Sequence, residues 1–404
     1  MITVVGIGAD GWDGLGGPAR RALSDATRLV GSQRQLDLIP AAAVTAPREP
    51  WPSPMQPLVD ALAAGAPTAD VAVLASGDPM LHGVGATFVR AAGPEHVRVL
   101  PHPSAFALAC ARMGWPQDEA ELVSLVARDP ATIVRALQPG RRLIAYVTGT
   151  DGAAQLASVV TAHGAGASAF TVLEQLGGPD EHRTDTTAAK ALEHVADPLH
   201  VVALHVVGGR AHPRTPGLPD DAFVASDGQL TKRHVRAITV AALGPQPGER
   251  LWDVGAGNGS IAIEWLRAEP TVTAVAIEPR EDRVGRIRQN ALALGVPQLE
   301  VVHGPAPEAL PAGPDRRPDV IFIGGGITTP GLFDACWEAL TPGGRLVANA
   351  VTLEGEHALA ITRRALGGTL TRIDIAHADP VGPFTGWRAQ MTVVQWSVTK
   401  TGTA

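Results

Sequence analysis

Two glycine turns carry the chemistry available to this sequence. In "LWDVGAGNGSIAIEWL", residues 251–266, an apolar strand-like run meets Gly255, Gly257 and Gly259 and continues into a helix-like run. Glycines suit such a turn because the backbone must fold tightly and approach a ligand with no Cβ between them. The next strand-like run, "VTAVAIEP", ends in Glu278, 23 residues after Gly255. A carboxylate at the tip of a second strand can accept hydrogen bonds from both hydroxyls of a ribose. The pair of features therefore predicts a nucleoside site. A dinucleotide pyrophosphate calls for G-x-G-x-x-G at a helix N-terminus. Here the spacing is G-x-G-x-G, with Ala256 and Asn258 between the glycines and Asp253 two residues upstream. An acid beside the loop repels a pyrophosphate and suits a cationic aminoacyl sulfonium.

The second turn lies at the start, in "ITVVGIGADGWDGL", and satisfies G-x-G-x-x-G at Gly6, Gly8 and Gly11. Glycines continue at Gly14, Gly16 and Gly17, so no helix is expected where a pyrophosphate would sit, and the strand-like "ATRLVGS" ends without an acid. Another apolar strand leads into "ASGDPMLHGVG", residues 75–85, where Asp78 suits a turn whose amides its side chain caps.

These turns need elements to hold them. A chain of 404 residues is too long for one ordinary core, and two domains are expected. The Gly/Pro-rich stretch "GGRAHPRTPGLPDDAF", residues 208–223, is the clearest linker, giving a first domain over 1–209, a linker over 210–222 and a second domain over 223–404. The first half alternates strand-like runs ("ITVVGIG", "ADVAVLAS", "HVRVLP", "RRLIAYVTG", "SAFTVLEQL", "LHVVALHVV") with helix-like ones. Pro18 opens one helix, and "PSAFALACARMG" is another that ends at a glycine. In the second half "TKRHVRAITVAAL" places Val235, Ile238 and Ala242 on one face, with Thr231 as N-cap. Strands follow at 250–254, 272–277, 299–302, 319–323 and 345–350. A last pair near 369–377 and 389–398, joined by a short irregular connection, is expected to be antiparallel at the sheet edge. The second half thus reads as a doubly wound α/β sheet of seven strands.

Composition narrows the function. The net charge of −7 argues against a sequence-independent hold on nucleic acid. After the fourth strand of the second half, "DVIFIGGG" offers Gly324 to Gly326 where amino-methylating nucleic-acid enzymes carry an Asp/Asn-Pro-Pro-aromatic grip. That leaves open space for a broad planar substrate. Cys110 and Cys336 sit in helix-like apolar runs, make no metal spacing, and read as core. No run reaches the roughly 18 apolar residues of a membrane span, and Met1 leads directly into a strand, so a soluble cytoplasmic protein is expected.

The 251–278 pattern resembles motif I and the ribose-binding acid of the class I S-adenosylmethionine-dependent methyltransferases. The two N-terminal turns resemble those of the tetrapyrrole methylases, in which a first-strand glycine loop and a G-D-P turn line a cleft between two α/β subdomains. That resemblance continues through "PHPSAFALACARMGWP", "LVSLVAR", "VTGTDGAAQLASVV" and "TVLEQLGGPDEH", and covers roughly residues 1–207. It implies cofactor contacts from Gly6, Gly8, Ala9, Asp78, Leu81, Ser104 and Ala105; His82 stands where such sequences usually carry an aromatic or aliphatic residue.

A tetrapyrrole methylase ahead of a class I methyltransferase is similar to the precorrin-6Y C5,15-methyltransferase (decarboxylating) family of cobalamin biosynthesis. "LTKRHVRA" at 230–237 resembles that family's entry helix, with His234 replacing the usual acid. "HGPAPEAL" at 303–310 resembles its G-D-A-P-E-A-L turn, with Pro305 replacing the aspartate. The resemblance implies second-half cofactor contacts from Thr231, Asp253, Gly255, Ala256, Gly257, Asn258, Gly259, Glu278 and Ala306, hence two S-adenosylmethionine sites and no metal. It also implies methylation of precorrin-6B at carbons 5 and 15 with loss of the ring C acetate carboxyl, carbon 5 in the first half, carbon 15 and decarboxylation in the second. A homo-oligomer is expected. The anionic tetrapyrrole calls for cations, for which Lys232 and Arg236, four apart on the entry helix, and Arg388 are candidates. Glu354 resembles a family position after the fifth strand, whereas Arg283 and Arg286 are expected on a solvated helix face. Two other readings stand beside this one, a methyltransferase for another substrate such as RNA and a non-catalytic nucleoside sensor.

Overall fold

In the computed structural model, residues 1–65, 70–225 and 230–401 are described. The chain forms two compact units: unit 1 comprises Met1–Pro130 and Ala136–Arg210, and unit 2 comprises Ala131–Arg135 and Ala211–Ala404.

Unit 1 holds two five-stranded sheets. The first is wholly parallel, in the order β3 (Arg48–Pro50), β2 (Arg28–Gly31), β4 (Val71–Ser76), β1 (Ile2–Ile7), β5 (Val97–Leu100). A parallel strand covered on both faces needs an unbroken apolar run, and every residue of β1 is buried. Val5 and Ile7 face Leu23 and Leu36 of helices α2 (Gly17–Asp25) and α3 (Gln33–Asp37). Ile2 and Val4 face Val59 and Phe88 of α4 (Gln56–Ala64) and α5 (Val84–Ala92). Contrary to expectation, one helical turn, α1 (Gly11–Gly14), follows the first glycines before α2 opens with Pro18 in its first turn.

The second sheet runs β6 (Ala120–Ser124), β7 (Arg142–Tyr146), β10 (His200–His205), β8 (Ala169–Glu174), β9 (His182–Thr187), with only β6–β7 parallel. Strand β9, "HRTDTT", has no apolar residue and was not legible as a strand; it is a solvated edge. Helix α6 (Ala105–Met113) starts where Ser104 Oγ accepts from Ala107 N at 3.1 Å and stops at Gly114, φ 64°. It packs Ala109 and Cys110 on Ile144, Leu173 and Val201, and α7 (Gly152–Val160) buries Ala153, Leu156 and Val160.

Unit 2 is a seven-stranded sheet in the order β13 (Glu300–His303), β12 (Thr273–Glu278), β11 (Arg250–Val254), β14 (Val320–Ile323), β15 (Arg345–Ala350), β19 (Val393–Thr399), β16 (Thr369–Ile373). Only β19 runs antiparallel to its neighbours. Strand residues alternate between two cores. Leu251, Ala276 and Phe322 face α8 (Arg233–Leu243), α9 (Ser260–Ala268) and α10 (Glu281–Ala293). Trp252, Val254 and Ile323 face α11 (Leu332–Ala339) and α12 (Leu353–Leu366).

Three expectations are corrected in unit 2. The connection between the last two sheet strands is itself a hairpin, β17 (Ala376–Val381) and β18 (Phe384–Ala389). Helix α8 buries Val235, Arg236, Thr239, Val240 and Leu243, while Ile238 is exposed; Lys232, not Thr231, is its N-cap. The stretch read as a linker packs on unit 2, where Leu218 and Phe223 join the core and Glu264 accepts from the amides of Gly217 (2.6 Å) and Leu218 (3.0 Å).

Candidate functional site

In unit 2 the C-terminal ends of β11, β12 and β14 open onto a cavity of about 410 Å³. Ligands of open α/β sheets bind at this end, beside the point where strand order reverses. Gly255, Ala256, Gly257 and Asn258 form one wall, with Glu278, Ala306, Thr231 and Gly324 to Gly326 around it. Gly255 has φ +72°, and a Cβ there would lie 3.2 Å from Gly325 N. At Gly325 a Cβ would meet nothing within 4 Å, so this part of the wall is open. Gly259 does different work: its Cβ would strike Ile287 at 2.9 Å, so the third glycine lets α10 pack and does not line the cavity.

Glu278 is 1% exposed, its Oε2 accepting from Gly257 N at 2.8 Å and its Oε1 from Arg280 N at 3.1 Å. It thereby ties the tip of β12 to the glycine loop and keeps lone pairs for further donors. Asn258 presents a buried side-chain N–H₂ with no partner, a polar donor at the cavity that a ligand acceptor would satisfy. A buried carboxylate with lone pairs to spare, an orphan donor and a wall with no Cβ at Gly255 and Gly257 fit a nucleoside.

Asp253 lies under the loop rather than on the cavity wall. Its Oδ2 accepts from Ala262 N at 3.0 Å and so caps α9, while Oδ1 has no partner. Burial, with Glu278 nearby, pushes its carboxyl up to about 7. The folded chain therefore keeps a proton that the unfolded chain has released, and this contribution to stability is full below the ordinary value of 3.8 and lost as pH climbs to about 7. The melting temperature of unit 2 is expected to fall as pH rises from 3.8 to about 7. It should fall less steeply in Asp253→Asn, which keeps an acceptor for Ala262; parallel profiles from calorimetry would refute this.

The second-half cation candidates do not converge on the cavity. Arg236 is fully buried, its Nε donating to Glu264 Oε1 at 2.5 Å and Nη1 to Asp220 Oδ1 at 3.1 Å, with further bonds to the carbonyls of Leu218 and Thr231. It is a structural latch and not a substrate contact, which corrects the sequence expectation. Lys232 is exposed, 3.9 Å from Asp220. Arg388 is exposed on β18, 3.6 Å from Asp379, and Glu354 is exposed in the first turn of α12. Arg283, expected on a solvated face, instead lines the cavity 3.9 Å from Glu278, and Arg286 is mostly buried beside Asp282 and Asn258. His234 stacks obliquely on His377, ring centroids 5.3 Å apart, and Pro305 lines the cavity beside Ala306.

Unit 1 has its own cavity, of about 240 Å³. Gly8 and Ala9 after β1, Asp78 and Leu81 after β4, and Ser104 and Ala105 at the start of α6 all line it. Gly6 lies beneath: a Cβ there would fall 2.1 Å from Gly77 O, so the glycine is needed for the approach of two loops. Behind Gly8 the His102 ring packs so closely that a Cβ would sit 2.7 Å from its Nε2, which pairs with Asp10 Oδ2 at 3.3 Å. Asp78 Oδ1 accepts from Met80 N at 2.9 Å, the turn bond its type suggests. His82 takes φ 55° and sits edge-on to Tyr146, ring centroids 6.3 Å apart, but does not line the cavity.

Sequence reasoning missed Arg34, Tyr146 and His200 on this cavity. Tyr146 carried a signal, being the single tyrosine, at the end of an apolar strand. Its hydroxyl accepts from Phe106 N at 2.9 Å, and burial raises its pKa. Arg34 and His200 carried none, because long-range packing brings them to the wall.

Residues 1–192 match the family model of Tetrapyrrole (Corrin/Porphyrin) Methylases, and residues 221–400 match that of a Precorrin methyltransferase domain. A Mycobacterium tuberculosis protein, precorrin-6Y C(5,15)-methyltransferase [decarboxylating], is 51% identical, over 99% of this chain and 100% of its own length. One of the same name from Sinorhizobium is 46% identical, over 99% and 96%. A shorter Pyrobaculum calidifontis protein, probable cobalt-precorrin-6B C(15)-methyltransferase (decarboxylating), is 33% identical over 42% of this chain and 89% of its own.

Proposed function

The chain belongs to the family of precorrin-6Y C5,15-methyltransferases (decarboxylating), and from that premise we propose that each of its two units is a methyltransferase site with its own S-adenosylmethionine. As a member it is an S-adenosylmethionine-dependent methyltransferase of cobalamin biosynthesis. The substrate is precorrin-6B, methylated at carbons 5 and 15 and decarboxylated at the ring C acetate to give precorrin-8. Unit 1, together with the tetrapyrrole methylase match, takes carbon 5; unit 2 takes carbon 15 and the decarboxylation. The shorter relative supports this division, since a protein matching only 42% of the chain is named a probable C(15)-methyltransferase (decarboxylating). The domain division follows the two units, with the stretch from Ala211 onward belonging to the second.

S-adenosylmethionine supplies a methyl group activated by its sulfonium. In unit 2, Glu278 accepts the ribose hydroxyls, Gly255 to Asn258 form the wall that the nucleoside approaches, and Gly324 to Gly326 leave room for a planar macrocycle. In unit 1, Gly8, Ala9, Asp78, Leu81, Ser104 and Ala105 hold the cofactor. Meso carbons of a reduced tetrapyrrole are enamine-like and nucleophilic without a covalent enzyme intermediate. Cys336 fits that reading, because burial pushes its thiol up to about 12 and leaves no thiolate to attack.

The observation that carries the proposal is a separate cavity behind each glycine turn, one built wholly from unit 1 and one wholly from unit 2. No described helix is long and apolar enough to cross a membrane, and we place the protein in the cytoplasm with a small-molecule substrate rather than nucleic acid. Val381 and Phe384, paired across the β17–β18 hairpin and both exposed, with the exposed Trp387 on its other face, support a homo-oligomer, since exposed large apolar side chains favour burial. Incubation with precorrin-6B and S-adenosylmethionine is expected to add two methyl groups and remove one carbon dioxide, read by mass spectrometry. An unchanged mass with authentic substrate and active cofactor would refute the proposal.

A further inference from the structure

We propose that Arg34 is the carboxylate-binding residue of the unit 1 cavity. The inference rests on the reading above, in which unit 1 binds an aminoacyl cofactor and methylates a macrocycle, both of which carry carboxylates. Arg34 is the one Lys or Arg among the described residues lining the cavity. Its position is built from the backbone up. A capping box, Ser32 N donating to Gln35 Oε1 at 2.9 Å and Gln35 N to Ser32 Oγ at 3.3 Å, sets the start of α3. Gln35 Nε2 and Arg34 Nη2 then each donate to Ser76 Oγ at 3.0 Å, which pins the arginine beside the end of β4 and the Gly77–Asp78 turn.

What the guanidinium lacks is an anion. Of its five N–H donors, one has a partner, the neutral hydroxyl of Ser76, and no ion pair joins it to any described carboxylate. Neighbouring arginines are satisfied: Arg28 Nε donates to Glu49 Oε2 at 2.5 Å, and Arg48 to the carbonyls of Leu36 and Ile39 at 2.8 and 2.7 Å. Burial works against the charge on Arg34, offset only by the field of Asp197. A half-buried cation without a counter-ion costs free energy that a bound carboxylate returns through charge-assisted, bidentate bonds. Asp78 also lines the cavity, so its described walls hold one carboxylate and one guanidinium.

A purely structural role, tying α3 to β4 through Ser76, makes a different prediction, and binding separates the two. Dissociation constants of the full-length chain for precorrin-6B, for S-adenosylmethionine titrated to both equivalents, and for decarboxylated S-adenosylmethionine are measured for wild type, Arg34→Gln and Arg34→Lys. Either a weakening of the precorrin, or a weakening of one cofactor equivalent that the decarboxylated cofactor does not share, is expected in Arg34→Gln at about tenfold or more. The first assigns the macrocycle's acid and the second the cofactor's. Arg34→Lys, which keeps the charge, should recover most of the loss. Unchanged constants for all three ligands, with or without a lower melting temperature, would overturn the proposal. These readouts need no turnover, so a wild-type chain that binds precorrin but fails to methylate it counts against the proposed function and not against Arg34.

Discussion

Alanine at position 278 is expected to abolish methylation at carbon 15 and the decarboxylation while methylation at carbon 5 continues. Glu278 is the carboxylate of the unit 2 cavity that holds the glycine loop, through Gly257 N at 2.8 Å, and its own turn, through Arg280 N at 3.1 Å. Its removal takes away the ribose acceptor and loosens the wall that the nucleoside must approach. A hydrogen bond to a charged group contributes about 1.5–3 kcal/mol. Losing two therefore lowers cofactor affinity at that site by at least about a hundredfold. Calorimetric titration should show one equivalent of S-adenosylmethionine where wild type shows two, and the product should gain one methyl group and keep its carboxylate. Glu278→Gln, with one oxygen acceptor left, should fall between. Equal loss of both methylations would end the assignment of one carbon to each unit.

Removing the Arg236 side chain is expected to destabilise unit 2 strongly without acting on substrate affinity as such. The guanidinium is wholly buried and joins four partners from three stretches: Glu264 on α9, Leu218 and Asp220 in the packed strap, and the carbonyl of Thr231 beside the cavity. It also lies 4.6 Å from the ring centroid of Phe223. Arg236→Ala leaves Glu264, 2% exposed, as a buried charge held only by the amides of Gly217 and Leu218. Breaking one side of a buried pair costs about 3–5 kcal/mol, which for a unit of this size lowers the melting temperature by roughly 10 °C. Adding Glu264→Gln should recover part of the loss because no charge is then stranded. If Arg236 were instead a substrate cation, the variant would melt like wild type and show a raised KM for the precorrin. A thermal scan of the full chain, following the transition of unit 2, distinguishes the two.

Arg236 also shows where sequence reasoning stops. Within "TKRHVRAITVAAL" a helix does form over Arg233–Leu243, but Lys232 is its N-cap and exposed while Arg236 is buried. Periodicity ranks apolar residues inward and cations outward, so it gives no sign of a buried arginine, and position 236 reads from the sequence as a candidate substrate cation. Its inward turn depends on Glu264, 28 residues away, and on a strap whose Gly and Pro content looked like a linker. Asp253 follows the same logic. Its type and spacing matched a loop acid, yet the fold uses it to cap α9 from below. The β17–β18 hairpin, short and mostly exposed, had too little apolar alternation to be seen.

The amino-acid sequence by itself determined the apolar strands, the two glycine turns and the acid at position 278. Each answers to local rules: unbroken apolar runs for strands buried on both faces, positive φ that only glycine adopts readily, and fixed spacing along one βαβ unit. Tertiary structure alone decided which charged side chains face a cavity and which hold the frame, so that Arg34 reaches a wall where Arg236 does not. The reason is that a charge's surroundings are made by residues distant along the chain. Desolvation and pairing in that company, rather than residue type, set whether a cation is a latch or stands ready for a ligand.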